Sequence, residues 1–111
     1  MSFFPFNIAC AVPVLPAAVE YVHAGISPGG THANHKFLAD WVTYDSDVTK
    51  EQQLILCDAQ TSGGLLAAVA PDQADAVVSS LRARGVSDAI AIGRIESASP
   101  GRITVGRTAT H

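Results

Sequence analysis

Two loops built on paired glycines do most to limit how this chain folds. SPGGTH spans 27–32 and DAQTSGG spans 58–64. Each reads as a glycine loop, because glycine allows close backbone approach or positive φ. Between and around them lie short apolar runs, so the expected fold is built from brief elements and not from long helices. The chain has 111 residues, which suits one domain over 1–111 with a modest core.

Local signals assign elements to the runs. An apolar start carries a short strand at 8–12, followed by Pro13 and Pro16. Pro16 suits the first turn of a helix, where its missing N–H costs nothing. Leu15, Ala18, Val19 and Val22 then recur at helical spacing, and Gly25 is a natural stop. Thr31 is expected to cap a second helix, with Asn34 completing a weak capping box and Phe37, Leu38 and Trp41 forming the apolar face. An acidic connection at 43–52 leads to strand-like runs at Gln53–Cys57 and Leu65–Ala70. Pro71 opens the clearest helix. Asp72 and Asp75 sit near its start and Arg82 and Arg84 near its end, in the order that the helix dipole favours. Ala74, Val77, Val78 and Leu81 make its buried stripe, and Gly85 ends it. Strands at 89–95 and 103–105 follow, separated by the ESASPGR turn region. The fold class is therefore α/β (α+β), with a mainly antiparallel sheet covered by helices. No GxGxxG joins a strand to a helix, which argues against a dinucleotide fold.

Composition narrows the function. Charged residues make up only 15% of the chain, so part of the surface is expected to be covered by a partner. The formal charge is −3, with 7 basic and 10 acidic residues and no dense basic stripe, which disfavours a nucleic-acid partner. The arginines late in the chain (Arg82, Arg84, Arg94, Arg102, Arg107) are scattered, suiting either a small anion or solvent. Cys10 and Cys57 show no metal-site spacing and read as free thiols in a reducing compartment. The apolar start lacks a basic region and is broken by prolines, so it does not read as a signal peptide. No run is long enough to span a membrane, and the cytoplasm is the default location.

Both glycine loops admit two readings. Gly29, Gly30 and Thr31 stand just before a helix, where free N–H groups and a hydroxyl suit an anion. They equally suit a tight turn with a threonine cap that binds nothing. Asp58, Gln60, Thr61, Ser62, Gly63 and Gly64 gather a carboxylate, an amide, two hydroxyls and two glycines. The carboxylate suits Mg²⁺, but the same residues could simply cap their own backbone. No GK[ST] follows, so this is not a P-loop.

Other polar residues carry less. His32 and His35 are three apart on a helix without an obvious third metal ligand. His23 reads as a half-exposed helix residue, and Cys57 as core with no adjacent base. Trp41, Tyr21 and Tyr44 are too few for a base-stacking platform. No catalytic residue and no metal site is assigned.

The segment LILCDAQTSGGLLAAVAPDQADAVVSSLRARG resembles the C-terminal domain of selenophosphate synthetase, also called selenide, water dikinase. DAQTSGG followed by Leu65-Leu66 is a specific signature of that family. VPVLP at 12–16, PGGT at 28–31 and AIAIGRI at 89–95 extend the resemblance over about 10–107. It implies the C-terminal fold of the aminoimidazole ribonucleotide synthetase-like superfamily. It also implies a relation to ATP- and Mg²⁺-dependent phosphorylation of selenide. The family's catalytic cysteine, lysine and metal-binding aspartates belong to an N-terminal domain that has no counterpart here. Cys10 matches the start of the C-terminal section and not the catalytic cysteine. By resemblance, Thr61, Ser62, Gly63 and Gly64 face the phosphate cleft, with Gly29, Gly30 and Thr31 near it. Where the family usually carries an arginine after GGT, this chain has Ala33, which lacks that residue's rigid fork of donors.

Three functions follow as expectations. The chain is a truncated or stand-alone C-terminal domain without turnover, needing no cofactor alone. Alternatively, it is a non-enzymatic binding or assembly protein that reuses the scaffold as a homo-oligomer. As a third reading, it is the C-terminal half of a split enzyme, using ATP and Mg²⁺ when paired with a separately encoded N-terminal half. Met1 suits a short gene.

Overall fold

A computed structural model describes residues 6–9, 12–97 and 100–106, the first of these stretches by its backbone. Four strands form one sheet: β1 (Phe6–Ala9), β2 (Val42–Tyr44), β3 (Gly93–Ile95) and β4 (Ile103–Gly106). Their order is β2-β4-β1-β3. β4 runs parallel to both β2 and β1, with Phe6 opposite Ile103 and Val42 opposite Ile103. Among the described residues only β1 and β3 pair antiparallel, with Phe6 opposite Ile95.

This corrects the expectation of a mainly antiparallel sheet. Two segments expected as strands do not join it. Gln53–Cys57 lies in helix α3 (Lys50–Leu56) and its C-cap, and Leu65–Ala70 forms no ladder. The pairings that remain join strands far apart in sequence, whose long crossovers allow parallel alignment. The antiparallel C-terminal fold implied by the family resemblance is corrected with it. The first strand lies earlier than expected, at Phe6–Ala9. Positions 10–11 of the expected 8–12 strand lie outside the described residues. Cys10 and Arg107 lie outside them too. Of 89–95, only Gly93–Ile95 pairs, whereas the last strand falls where the sequence places it.

The helices follow their caps. Pro16 opens α1 (Pro16–His23), which stops at Gly25, φ +79°. α3 begins at Thr49, whose hydroxyl accepts from the Gln52 N–H while the Gln52 side chain accepts from the Thr49 N–H, a complete capping box. A 3₁₀ turn at Pro71–Gln73 leads into α4 (Ala74–Ala83), which ends before Gly85, φ +95°. No residue of α4 is buried, which corrects the buried stripe expected of Ala74, Val77, Val78 and Leu81.

α2 (Gly29–Leu38) departs from expectation. Its N-cap is Pro28, not Thr31, which lies inside the first turn. Its inward stripe is Thr31, His35 and Leu38, whereas Phe37 and Trp41 are exposed. Thr31, Asn34 and His35 share a face by helical spacing, and each bonds to α3 or to the residues just after it. The α2–α3 contact is therefore joined by polar groups.

Among the described residues, the buried apolar side chains are Val48, Cys57 and Val105. Tyr44 of β2 reaches from the sheet to the helices, stacking on His35 and meeting the Cys57 thiol. Much apolar surface is left uncovered. Leu65 is fully exposed, Leu66 is largely exposed, and Val69, Leu81, Val86 and Ile90 each leave about two fifths to a half of their surface open. Arg102 lies over the Trp41 ring, 5.6 Å from its centroid, and donates to the Asp40 carbonyl.

Candidate functional site

The two glycine loops meet. Thr31 is 1% exposed. Its hydroxyl donates to Asp58 Oδ1 at 2.9 Å and accepts from the Ala59 N–H at 3.2 Å. One buried side chain thus serves as donor and acceptor across the gap between the loops. Asn34 adds a bond from Nδ2 to the Cys57 carbonyl at 3.1 Å. Gln60 Nε2 donates to Asp58 Oδ2 at 3.0 Å, so each carboxylate oxygen holds one partner. A Cβ added at Gly30 would lie 3.1 Å from the Ala59 Cβ, tighter than ordinary contact. The glycine at position 30 lets the two backbones approach.

Residues from both loops stay open to solvent around this junction. Gly29, Gly30, Asp58, Gln60, Thr61, Ser62, Gly63 and Gly64 are all exposed. A Cβ at Gly29, Gly63 or Gly64 would meet nothing within 4 Å. Asp58 faces the first turn of α2, where a carboxylate complements the positive end of the helix. This carboxylate already answers part of the pull that the α2 N-terminus would exert on a phosphate. Ala33 is exposed on α2.

A carboxylate has about four acceptor positions, so Asp58 keeps spare capacity. One carboxylate does not make a Mg²⁺ site, which draws on several oxygen ligands. Among the described residues no group of three or more His, Cys, Asp or Glu side chains is placed to hold a metal. The residues described here do not fit Mg²⁺ by themselves.

His32 and His35 do not share a ligand. Ser27 Oγ lies 2.7 Å from His32 Nε2, and His35 turns toward α3, 2.9 Å from Gln53 Oε1. His23 pairs with Glu51 at 3.1 Å. Cys57 is buried, and its Sγ lies 3.4 Å from the Tyr44 hydroxyl. Burial pushes the Tyr44 phenol well above its ordinary range, and the contact with Cys57 adds to this.

Sequence reasoning named Thr31 and Asp58 but not the bond between them, nor the set that ties α2 to α3. His35, Gln53 and Lys50 form a bonded set between α2 and α3. The signal for that set was the Thr49-x-x-Gln52 pattern, which marks residues 50–56 as helix and places Lys50 and Gln53 on one face.

No family model matches the chain. It is 39% identical to the selenide, water dikinase of Pelobacter propionicus over 98 residues, 88% of this chain and 28% of that protein. It is 42% identical to the Salmonella typhimurium selenide, water dikinase over 94 residues, 85% of this chain and 26% of that protein. The Shewanella sp. enzyme of the same name is 41% identical over 87 residues, 78% of this chain and 24% of that protein. The chain spans about a quarter of the length of these curated relatives. No helix among the described residues is long and apolar enough to cross a membrane. Over most of its own length, the chain is homologous to part of the selenide, water dikinases.

Proposed function

We propose that this chain is the C-terminal, glycine-loop part of a selenide, water dikinase. It closes over phosphates held by a separate chain that carries the rest of the enzyme. The observation that carries this reading is the Thr31–Asp58 bond. It brings the start of α2, with Gly30 and Thr31, against Asp58 and Ala59, so two segments distant in sequence meet, and the exposed stretch 61–64 follows directly along the chain. Free backbone N–H groups beside glycines suit phosphate oxygens. Phosphoryl transfer from ATP needs several metal ligands, and among the described residues Asp58 is not joined by enough such groups to hold a metal. The chain therefore positions and covers, while its partner binds Mg²⁺ and reacts. Turnover by the chain alone is not expected.

Mixing tests this. A Pelobacter propionicus enzyme lacking the stretch homologous to this chain should regain selenide-dependent consumption of ATP when this chain is added. No recovery, with the two chains shown to bind each other, would overturn the assignment.

A second reading rests on a different observation. Leu65, Leu66 and Val69 are exposed in a stretch outside the sheet, and exposed apolar surface of this kind marks an interaction site. It supports a non-enzymatic assembly protein that buries this stretch in a homo-oligomer. A chain that stays monomeric at high concentration would count against it.

A further inference from the structure

We infer that His35 is a positioning residue, tying α2 to α3 and so holding Gly30 and Thr31 against Asp58 and Ala59. It does this only as a neutral imidazole protonated on Nε2. The inference deepens the reading of the two loops as one surface, and it rests on that reading only for its functional meaning.

Three contacts fix the tautomer. Lys50 Nζ lies 3.3 Å from His35 Nδ1. An ammonium group only donates, so Nδ1 must present its lone pair. Gln53 Oε1 lies 2.9 Å from His35 Nε2, and an amide oxygen only accepts, so Nε2 must carry the proton. The Gln53 amide cannot turn over freely, because its Nε2 donates to the Val48 carbonyl at 3.3 Å. The ring also stacks on Tyr44, with centroids 6.1 Å apart and planes 15° from parallel.

No charge of opposite sign faces the ring among the described contacts. From α3 it meets Lys50 and Gln53, and from β2 it meets Tyr44, whose phenol burial keeps neutral. On α2 itself, His32 is engaged by Ser27 and Asn34 by the Cys57 carbonyl. Glu51, beside Lys50, turns away to His23. A proton added at Nδ1 removes the acceptor for Lys50 and sets two cations against each other. None of the described partners of the ring compensates.

The consequence reaches the loops through α2. Thr31 and His35 are one turn apart on the same face, so loosening His35 loosens the Thr31 contacts with Asp58 and Ala59. The described bonds of His35 go to α3 and its ring stacks on β2, so it reaches the loops through α2.

The test uses the full chain without ligand. Long-range ¹⁵N imidazole spectra at neutral to alkaline pH should show Nε2 protonated and Nδ1 bare. On acidification, the amide signals of Gly30, Thr31 and Ala59 should move together with the His35 ring. In His35→Gln, whose side-chain amide can still donate to Gln53, those amides should keep their neutral positions and lose the part of the response that follows the His35 ring, leaving only what Asp58 and His32 cause. In His35→Ala they should sit at the acid positions throughout. Should His35→Ala fail to fold, the wild-type titration and His35→Gln decide the matter. An Nδ1-protonated tautomer, loop amides indifferent to His35, or an unchanged response in His35→Gln would each overturn the inference. None of these readouts depends on phosphate binding.

Discussion

The Thr31 hydroxyl donates to Asp58 across 27 residues of sequence, and the same oxygen accepts from the Ala59 N–H. A group so buried cannot exchange these partners for water. Thr31→Val keeps the shape but leaves the Ala59 N–H unpaired and strips a donor from Asp58. A loss of about 1–3 kcal/mol is expected. Urea unfolding of the full chain measures it, and Thr31→Ser should recover most of the loss.

The neighbouring glycines separate helix propensity from close approach. Alanine at 29 meets nothing within 4 Å and should stabilise α2 by up to about 1 kcal/mol. Alanine at 30 gains the same propensity but presses on the Ala59 Cβ at 3.1 Å. Gly29→Ala should therefore raise the unfolding midpoint above that of Gly30→Ala. Only the latter should shift the Ala59 amide signal.

Thr49 closes a capping box on α3, the helix that carries Lys50 and Gln53. Thr49→Ala should cost about 0.5–2 kcal/mol. Amide exchange should quicken first at residues 50–53, where the orphaned N–H groups lie.

Tyr44 makes stability fall at alkaline pH. Its phenol is raised in the folded chain, so above the ordinary phenol range of about 10 the unfolded chain loses its proton first. Stability from this group is full below that value and falls as the pH rises beyond it. Unfolding midpoints should drop in that alkaline range, and Tyr44→Phe should flatten the drop while giving up the contact with Cys57.

Elements with local signals were legible in the sequence. Pro16 and Gly25 bracket α1, and Pro71, the paired charges and Gly85 frame α4. α3 was not, because Leu54, Ile55, Leu56 and Cys57 read as a strand when the Thr49–Gln52 cap is passed over. Sheet direction was hidden for another reason. It depends on β4 lying between β2 and β1, and no local pattern encodes that choice. Leu65–Ala70 has the composition of a strand, but a strand forms only where a partner supplies the other half of the ladder. Both loops of the site were visible through their glycines. The bond between them was not, since Thr31 reads locally as a cap and only the tertiary fold turns its hydroxyl to Asp58.

An amide-resolved NMR titration of the full chain, first with Mg²⁺-ATP and then with phosphate alone, decides whether the two loops meet phosphate. Saturable shifts are expected at 29–31 and 61–64, with little change on α4. Unmoved signals in both loops at millimolar ligand would contradict the phosphate reading, and would leave Thr31 and Asp58 as a structural joint alone.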